Sequence, residues 1–255
     1  LIEILTKYKV SAFDLNGNYF IITKSFNAVR LDKRNNYPEN STIKNVFAGN
    51  TSIVGRTLLT TNKTYNGVNE FFDEIKNLKG NISLSAVSKA LTRLSEDLII
   101  DKTNGIKLVQ PDKLLNKLID NYSLPISYQT IWLKLPTDTT HAKQILDCML
   151  NNKWIYSGES SISNYAITTP NNNNIVFANE LNNTFDFTDY INERFFNYTI
   201  YLLGDKYNYI YFNSDNNFAS KLQCLLELMN LGKRENEIGE DIKEEILNEF
   251  RNKQE

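Results

Sequence analysis

The chain has 255 residues, enough for two compact units, and a chain of this size needs neither a disulfide nor a metal ion to stabilise its core. With 41% hydrophobic and 23% charged residues it has the composition of a globular protein, which excludes a fibrous or disordered chain. The longest apolar runs fall far short of the ~18 residues that a membrane span needs, and no signal-peptide pattern opens the sequence, so we expect no membrane association.

Charge is distributed unevenly along the chain, although the formal net charge is only −2. Residues 1–122 carry 17 Lys and Arg against 12 Asp and Glu, whereas residues 123–255 carry 11 against 18. A basic first half and an acidic second half fit a nucleic-acid-binding module joined to a regulatory or partner-binding module. The basic excess is modest for a DNA-binding protein, so charge alone does not decide the function.

The two cysteines, Cys148 and Cys224, lie far apart, and neither has a second Cys or a His at the spacing of metal ligands. The sequence therefore predicts no metal site and no other cofactor. Isolated thiols are typical of a reducing compartment, so we expect a cytoplasmic protein. Because Leu1 is not an initiator Met, we also expect the sequence to begin inside a longer chain.

The first segment, residues 1–45, is predicted to form a helix remnant followed by short β-strands. A hairpin turn is predicted at Asn16-Gly17, since both residues tolerate the positive φ of a tight turn. Residues 19–22 form the strand after this turn, and the apolar residues that follow can pair with it. Residues 33–41 are polar and rich in turn formers and are predicted to be a linker.

Three helices are predicted between Ser52 and Glu96. The first begins at Ser52, where apolar residues recur at helical spacing and Arg56 faces away from them. The second covers residues 67–76, where one apolar stripe marks the buried face. The third follows Ser83, a plausible N-cap, and extends to about Glu96.

A β-hairpin and a fourth helix are predicted after these three helices. Two β-prone runs, residues 98–100 and 106–109, are joined by the tight turn Thr103-Asn104-Gly105. A closing helix starts with proline at its first position and covers residues 111–122. Three helices followed by a hairpin is the order of a winged helix-turn-helix. Residues 46–122 are therefore predicted to be such a domain, with the third helix as recognition helix and the hairpin as wing.

Residues 123–255 are predicted to form an α+β domain for partner binding or regulation. The predicted elements are helices at residues 141–151, 219–231 and 238–251 and strands at residues 154–156, 198–203 and 207–212, with further short strands between residues 164 and 190. The fold class predicted for the whole chain is thus α+β. A short N-terminal β segment precedes a winged helix-turn-helix domain, which an α+β C-terminal domain follows.

The predicted recognition helix has two faces of different chemistry. Helices that enter the major groove present short polar and basic residues, because short side chains let the backbone approach the bases while Lys and Arg reach phosphates or guanine edges. Acidic residues occur only where the helix ends, as Glu96 and Asp97. Arg56 on the first helix is a weaker candidate for a backbone contact. The candidate DNA-binding residues are Ser85, Ser88, Lys89, Thr92 and Arg93 on the helix and Lys102, Asn104 and Lys107 in the wing.

Four segments match, in order, sequence patterns of one bacterial protein family. Residues 14–21 (DLNGNYFI) fit the strand–turn–strand pattern D-x-x-G-N-x-y-I, and residues 82–94 fit the helix pattern S-x-x-x-V-S-k-x-L-x-x-L. Residues 156–166 (YSGESSISNYA) and 221–247 fit the start and the end of the C-terminal domain. The last pattern, Q-x-x-L-D-L-x-x-x-G-x-R-x-x-E, falls on Gln223, Leu226, Glu227, Leu228, Gly232, Arg234 and Glu237. The chain thus resembles the AbiEi-type antitoxins, winged-helix transcriptional regulators of type IV toxin–antitoxin systems.

This resemblance implies a protein that represses its own operon through the winged helix and opposes a nucleotidyltransferase-type toxin. It also implies that residues 1–45 are the end of a longer region with a degenerate nuclease-like fold. Glu227 stands where the family pattern often has Asp, a conservative difference.

An enzymatic function is not expected. His141, the only histidine, lies at an apparent helix start, and no nucleophile-elbow motif G-x-S-x-G occurs. Residues 158–161 are superficially similar to the Gly-Ser motif of nucleotidyltransferases but lack the paired Asp residues that hold Mg²⁺. Asp186, Asp189 and Glu193 have the spacing of a solvated helix start rather than of a metal site.

The sequence therefore favours a DNA-binding regulator that recognises double-stranded operator DNA. We expect a homo-oligomer or paired sites, since one such module rarely gives enough specificity. The competing hypothesis is a protein-interaction module of the antitoxin type whose winged helix does not bind DNA. Aromatic strands in the C-terminal domain could stack on RNA, but the acidic charge there favours core packing or a protein interface.

Overall fold

In a computed structural model of the chain, the residues described are 2–14, 16–33, 45–166 and 173–251. The chain divides into two compact units, residues 1–44 and residues 45–255. Most of the linker predicted at residues 33–41 lies outside the described residues, and so do residues 167–172 of the region predicted to hold short strands.

The first unit contains a helix and a three-stranded antiparallel sheet. Its elements are α1 (Ile2–Tyr8), β1 (Ala12–Phe13), β2 (Tyr19–Ile22) and β3 (Asn27–Arg30), with the strand order β1-β2-β3. Gly17 has φ +84° in the turn between β1 and β2. One oxygen of the Asp14 carboxylate accepts hydrogen bonds from the backbone N–H groups of Asn16 at 2.8 Å and Asn18 at 2.9 Å. The hairpin predicted at Asn16-Gly17 is confirmed, because β1 and β2 pair across this turn.

The second unit begins with four helices and a short hairpin. A 3-10 helix (Gly49–Thr51) leads into α2 (Ser52–Thr61), α3 (Val68–Asn77), α4 (Leu84–Glu96), the paired strands β4 (Ile100–Asp101) and β5 (Lys107–Leu108), and α5 (Pro111–Asn121). The helix start predicted at Ser52 and the helices predicted at residues 67–76, 84–96 and 111–122 are confirmed within one residue. The strands are shorter than the β-prone runs suggested.

The turn of this hairpin is held by a residue from the loop between α2 and α3. The backbone of Tyr65 donates to the carbonyl of Ile106 at 3.0 Å and accepts from its N–H at 2.7 Å. Gly105 has φ +100°, and a Cβ added there would lie 2.6 Å from the Tyr65 carbonyl oxygen. Glycine therefore satisfies both the turn conformation and the close approach of the Tyr65 backbone. This pairing was not predicted from the sequence.

Helices α2 to α5 share one apolar core. Contacts join α2 to α3, α4, α5 and β5, so α2 lies at the centre of this part of the unit. Each buried Leu, Ile, Val or Phe stabilises the fold by about 1.5–3 kcal/mol through the apolar surface that it removes from water. The core side chains that are no more than 1% exposed include Ile53, Val54, Leu58, Phe71, Ile75, Val87, Ala90, Leu91, Leu94, Leu114, Leu115 and Leu118.

The prediction that Arg56 faces outward and contacts DNA is wrong. Every residue of α2 from Ser52 to Leu59 is buried, and Arg56 is only 1% exposed. The apolar stripe in the sequence marks one side of α2, but Gln223, far along the chain, supplies a hydrogen-bond partner for the polar side. A helix that is surrounded has no solvent face on which a cation could meet phosphate.

The remainder of the second unit is built on a four-stranded mixed sheet. Its elements are β6 (Gln129–Leu133), α6 (Thr139–Met149), β7 (Trp154–Tyr156), α7 (Gly158–Ser161), β8 (Asn174–Ala178), β9 (Tyr198–Leu202), α8 (Lys221–Leu228) and α9 (Lys233–Arg251). The strand order is β6-β9-β8-β7, and β8 and β9 are parallel while the other neighbours are antiparallel. One face of the sheet packs on α6, where Ile200, Val176 and Leu146 are fully buried. The α+β class predicted for the chain is confirmed.

The strand predicted at residues 207–212 is wrong, because a 3-10 helix occupies Asp205–Tyr211. Tyrosine at every second position imitates the alternation of a strand. In a helix with about three residues per turn, however, Tyr207 and Ile210 share one side, and both are buried. The Tyr209 ring lies 5.3 Å from the Arg56 guanidinium carbon. Burial against distant residues therefore decides the conformation here.

The helical part of this unit (residues 45–122) and its sheet part (residues 123–251) contact each other directly. The Asn213 backbone N–H donates to the Leu78 carbonyl at 2.9 Å, and Lys79 Nζ donates to the Ser214 carbonyl at 2.8 Å. Arg251 at the end of α9 lies 3.6 Å from the carboxylate of Asp112 on α5. None of the helices formed by the described residues combines the length and apolar character that crossing a bilayer requires.

Candidate nucleic-acid interface

The candidate interface consists of the outer face of α4 and the β4–β5 hairpin that follows it. The inner face of α4 is anchored in the core by Val87, Ala90, Leu91 and Leu94, which are buried. All eight residues predicted to contact DNA are exposed, five on α4 and three in the hairpin. These exposed residues are Ser85, Ser88, Lys89, Thr92, Arg93, Lys102, Asn104 and Lys107.

The start of α4 is fixed by a side-chain cap. Ser83 Oγ accepts a hydrogen bond from the Ala86 N–H at 3.3 Å, which satisfies one of the free amides of the first turn. Ser83 Oγ also lies 3.2 Å from Ser85 Oγ. Further along the helix, the Thr92 hydroxyl donates to the Ser88 carbonyl at 3.0 Å. The cap is the one predicted from the sequence, and it sets where the exposed face begins.

The positive charges of the interface differ in their surroundings. The Arg93 guanidinium lies 3.3 Å from the Glu96 carboxylate and 3.3 Å from the Asp97 carboxylate, both within its own helix end. Lys89, Lys102 and Lys107 form no ion pair with any residue that the structure describes. The three lysines therefore supply the available positive charge, and Arg93 has to exchange carboxylates for phosphate before it can contact DNA.

The tip of the hairpin is ordered by Asp101. Its carboxylate accepts hydrogen bonds from the Thr103 N–H and the Thr103 hydroxyl, each at 2.8 Å. These hydrogen bonds from the backbone and the side chain of Thr103 lower the pKa of Asp101. The carboxylate thus stays ionised and keeps the turn closed, which leaves Lys102 and Asn104 exposed on either side of Thr103.

Acidic residues of α3 are largely engaged by neighbours. Glu74 lies 3.2 Å from Lys63, and Asp73 lies 4.0 Å from Lys76. Glu70 accepts from the Asn66 backbone N–H at 2.7 Å. Their charges are thus partly compensated locally, which reduces their repulsion of a polyanion at short range.

The residues considered for catalysis lie at a helix start or in a turn. His141 is exposed, and its backbone N–H donates to the carboxylate of Asp138, the N-cap of α6, at 3.0 Å. Asp186 accepts from the backbone N–H and the hydroxyl of Thr188 in a turn. Among the residues that the structure describes, no group of three or more His, Cys, Asp or Glu is placed to hold a metal ion.

A buried polar network, which was not predicted from the sequence, joins α2 to α8. Arg56 Nη1 donates to Gln223 Oε1 at 2.7 Å, and Gln223 Nε2 donates to Glu227 Oε1 at 2.6 Å and to the Tyr122 hydroxyl at 2.9 Å. Gly158 N–H donates to the other Glu227 oxygen at 2.7 Å. Gln223 and Glu227, four residues apart in the mostly apolar helix α8, were the available signal.

Comparison of the chain with protein-family models, with curated protein sequences and with solved structures finds no match.

Proposed function

We propose that α2 to α5 and the β4–β5 hairpin form a winged helix that binds double-stranded operator DNA, and that the protein is a transcriptional regulator. In this proposal α4 enters the major groove and the hairpin contacts the DNA backbone. The observation that carries the proposal is that every polar and basic candidate on α4 and the hairpin is exposed. The opposite face of α4 is buried in the core.

The hydrogen bonds that hold α4 and the hairpin in place also favour this function. The Ser83 cap fixes the start of α4, and the Tyr65 pairing and the Asp101 turn fix the hairpin. Lys89, Lys102 and Lys107 are then held ready for phosphate contacts. Because one winged helix contacts few base pairs, the proposal includes two copies on paired sites, with autorepression as in the antitoxin-like regulators that the sequence resembles.

The test is a gel-shift titration with the DNA upstream of the gene, repeated over a range of salt concentrations. We expect Lys89→Ala/Arg93→Ala to weaken binding by at least about tenfold and to reduce the salt slope by about two. Lys134→Ala/Lys233→Ala removes the same charge from exposed positions away from α4 and should bind like the unmodified protein. Absence of binding at low salt, where phosphate contacts are strongest, overturns the proposal.

A second candidate function is protein interaction, with a nucleotidyltransferase-type toxin as the partner. It is favoured by the neutralisation of Arg93 and by apolar side chains at the two ends of α4, since Leu84 is 41% and Leu98 is 67% exposed. Co-purification with a nucleotidyltransferase encoded by a neighbouring gene tests it. Leu98→Asp should abolish that complex, whereas Lys89→Ala should leave it intact.

A further inference from the structure

A cavity of about 400 Å³ lies on the sheet face opposite α6, beside the segment that connects α5 to β6. Its floor is formed by Ile175 and Phe177 of β8 and Tyr201 of β9. Phe177 and Tyr201 are register partners in the parallel pair, and their ring centroids are 6.2 Å apart. The volume falls within the range of small-molecule sites, and the floor offers flat apolar surface to a ligand.

The lining of this cavity is partly acidic. Glu227 on α8 and Glu159 on α7 both line it, as do the serines 127 and 157. Glu227 is only 2% exposed. It approaches α7 closely because Gly158 has no side chain: a Cβ added there would lie 2.8 Å from the Cys224 Cα and 3.0 Å from the Glu227 carboxyl carbon.

The Glu227 carboxylate has unused capacity to accept hydrogen bonds. From the described residues each of its oxygens accepts one, from Gln223 and from the Gly158 N–H, whereas an ionised carboxylate offers about four acceptor positions. Arg56 reaches it only through Gln223, and no described cation lies within ion-pair distance. A buried carboxylate that lacks a paired cation is costly, and a cation delivered by a ligand would offset part of this cost.

Burial raises the pKa of Glu227 to about 7, and the hydrogen bonds from Gln223 and Gly158 and the charge of Arg56 oppose this rise. The negative charge of Glu159 raises the pKa of Glu227 further. A positive ligand group near Glu227 would favour its ionised form and so oppose the effects of burial and of Glu159.

We propose that the cavity binds a small organic ammonium ion with an apolar, preferably aromatic, body. The ammonium group is placed at Glu227 and Glu159, and the body lies on Ile175, Phe177 and Tyr201. A neutral compound leaves the carboxylate unpaired, and an anion is repelled by it, so the charge of the ligand decides affinity while the apolar floor accepts any body of suitable size. The proposal does not rest on DNA binding by α4.

Calorimetric titration with three compounds of matched shape tests the site on the unmodified protein. Tryptamine carries the ammonium group, 3-ethylindole is its neutral counterpart and indole-3-propionate its anionic one. At about pH 8, where Glu227 is ionised, we expect tryptamine to bind at least tenfold more tightly than 3-ethylindole, a difference that corresponds to roughly one charge-assisted hydrogen bond. We expect indole-3-propionate not to bind. Equal affinity for all three compounds, or no binding of tryptamine at millimolar concentration, overturns the proposal.

Substitutions in the cavity lining test whether tryptamine binds there. Ile175→Trp, which fills the cavity, and Glu159→Gln should each weaken tryptamine binding at least tenfold, whereas Glu193→Gln, an exposed carboxylate outside the cavity, should not. Glu227→Gln should remove the preference for tryptamine over 3-ethylindole, provided that its circular dichroism matches that of the unmodified protein. Where Glu227→Gln does not fold, the ligand series and Ile175→Trp still decide the outcome. Unchanged tryptamine binding by Ile175→Trp would place the ligand elsewhere and contradict the assignment.

Discussion

The guanidinium of Arg56 and the side-chain amide of Gln223 lie 167 residues apart in the sequence and meet in a hydrogen bond of 2.7 Å inside the protein. Ser52 Oγ accepts from Arg56 Nε at 3.1 Å, and the Tyr209 ring covers the guanidinium. Burial lowers the pKa of Arg56, while the charge of Glu227 acts in the opposite direction. One buried cation therefore joins the proposed DNA-binding helices to the α8 region and makes the two parts dependent on each other for stability.

Arg56→Met should destabilise the protein by about 2–4 kcal/mol, because Gln223 Oε1 and Ser52 Oγ lose a buried hydrogen-bond partner. Urea unfolding followed by circular dichroism measures this. Lys117→Met, which also replaces a cation by methionine but at an exposed position of α5, should change stability by less than about 0.5 kcal/mol. Similar stabilities for the two variants would show that the network contributes little.

Gly105→Ala should destabilise the second unit and disturb the hairpin. The substitution combines a positive φ with a Cβ 2.6 Å from the Tyr65 carbonyl oxygen, so we expect a loss of more than about 2 kcal/mol. Gly49 has φ +54° with open space around its Cβ position, and Gly49→Ala should cost only the backbone term of roughly 1–2 kcal/mol. Thermal unfolding of the two variants compares them directly, and an equal loss would rule out the Tyr65 contact as a cause.

Leu98→Gly should stabilise the protein by about 1 kcal/mol. Leu98 has φ +57° at the end of α4, where the Ile99 N–H donates to the Leu94 carbonyl at 2.9 Å, an arrangement that usually has glycine. Leu98→Ala is the matched control, because it shortens the side chain but keeps the Cβ that opposes this conformation. A gain in the alanine variant as large as in the glycine variant would assign the effect to the exposed side chain instead.

Glu227 should make the protein less stable as the pH rises. Its folded pKa of about 7 exceeds the ordinary value of 4.5, so the folded state holds the proton more tightly and stability falls between these two values. The difference corresponds to about 3 kcal/mol lost above pH ~7. Urea unfolding at about pH 5 and about pH 8 should show a smaller decline for Glu227→Gln than for Glu193→Gln, whose carboxylate is exposed. An identical decline in both variants would contradict the burial of an ionisable Glu227.

Glu96→Gln/Asp97→Asn should tighten DNA binding by about threefold to tenfold at low salt, since it frees Arg93 and removes two negative charges beside the proposed groove contact. Gel-shift titration measures the change. Asp189→Asn/Glu193→Gln removes two exposed carboxylates from the sheet part and should have no comparable effect. Unchanged affinity in the first variant would indicate that this helix end does not approach DNA.

Local signals were sufficient for the helices, the hairpin and the exposure of the candidate DNA-binding residues. The cap at Ser83, the apolar spacing of α4 and the turn at Gly105 act within a few residues, so their consequences can be predicted from the sequence. The polar face of α4 follows from the same periodicity, because α4 packs on the core along its apolar stripe alone.

Tertiary structure alone determined the burial of Arg56, the 3-10 conformation of residues 205–211 and the cavity beside Glu227. The sequence places a cation on α2, but only the approach of Gln223 and Tyr209 makes it buried rather than exposed to DNA. The tyrosines alternate as in a strand, yet burial against distant side chains favours a helix of three residues per turn. In each case the stabilising contacts join residues far apart in the chain, and their free energy exceeds the small local preference that a sequence pattern records.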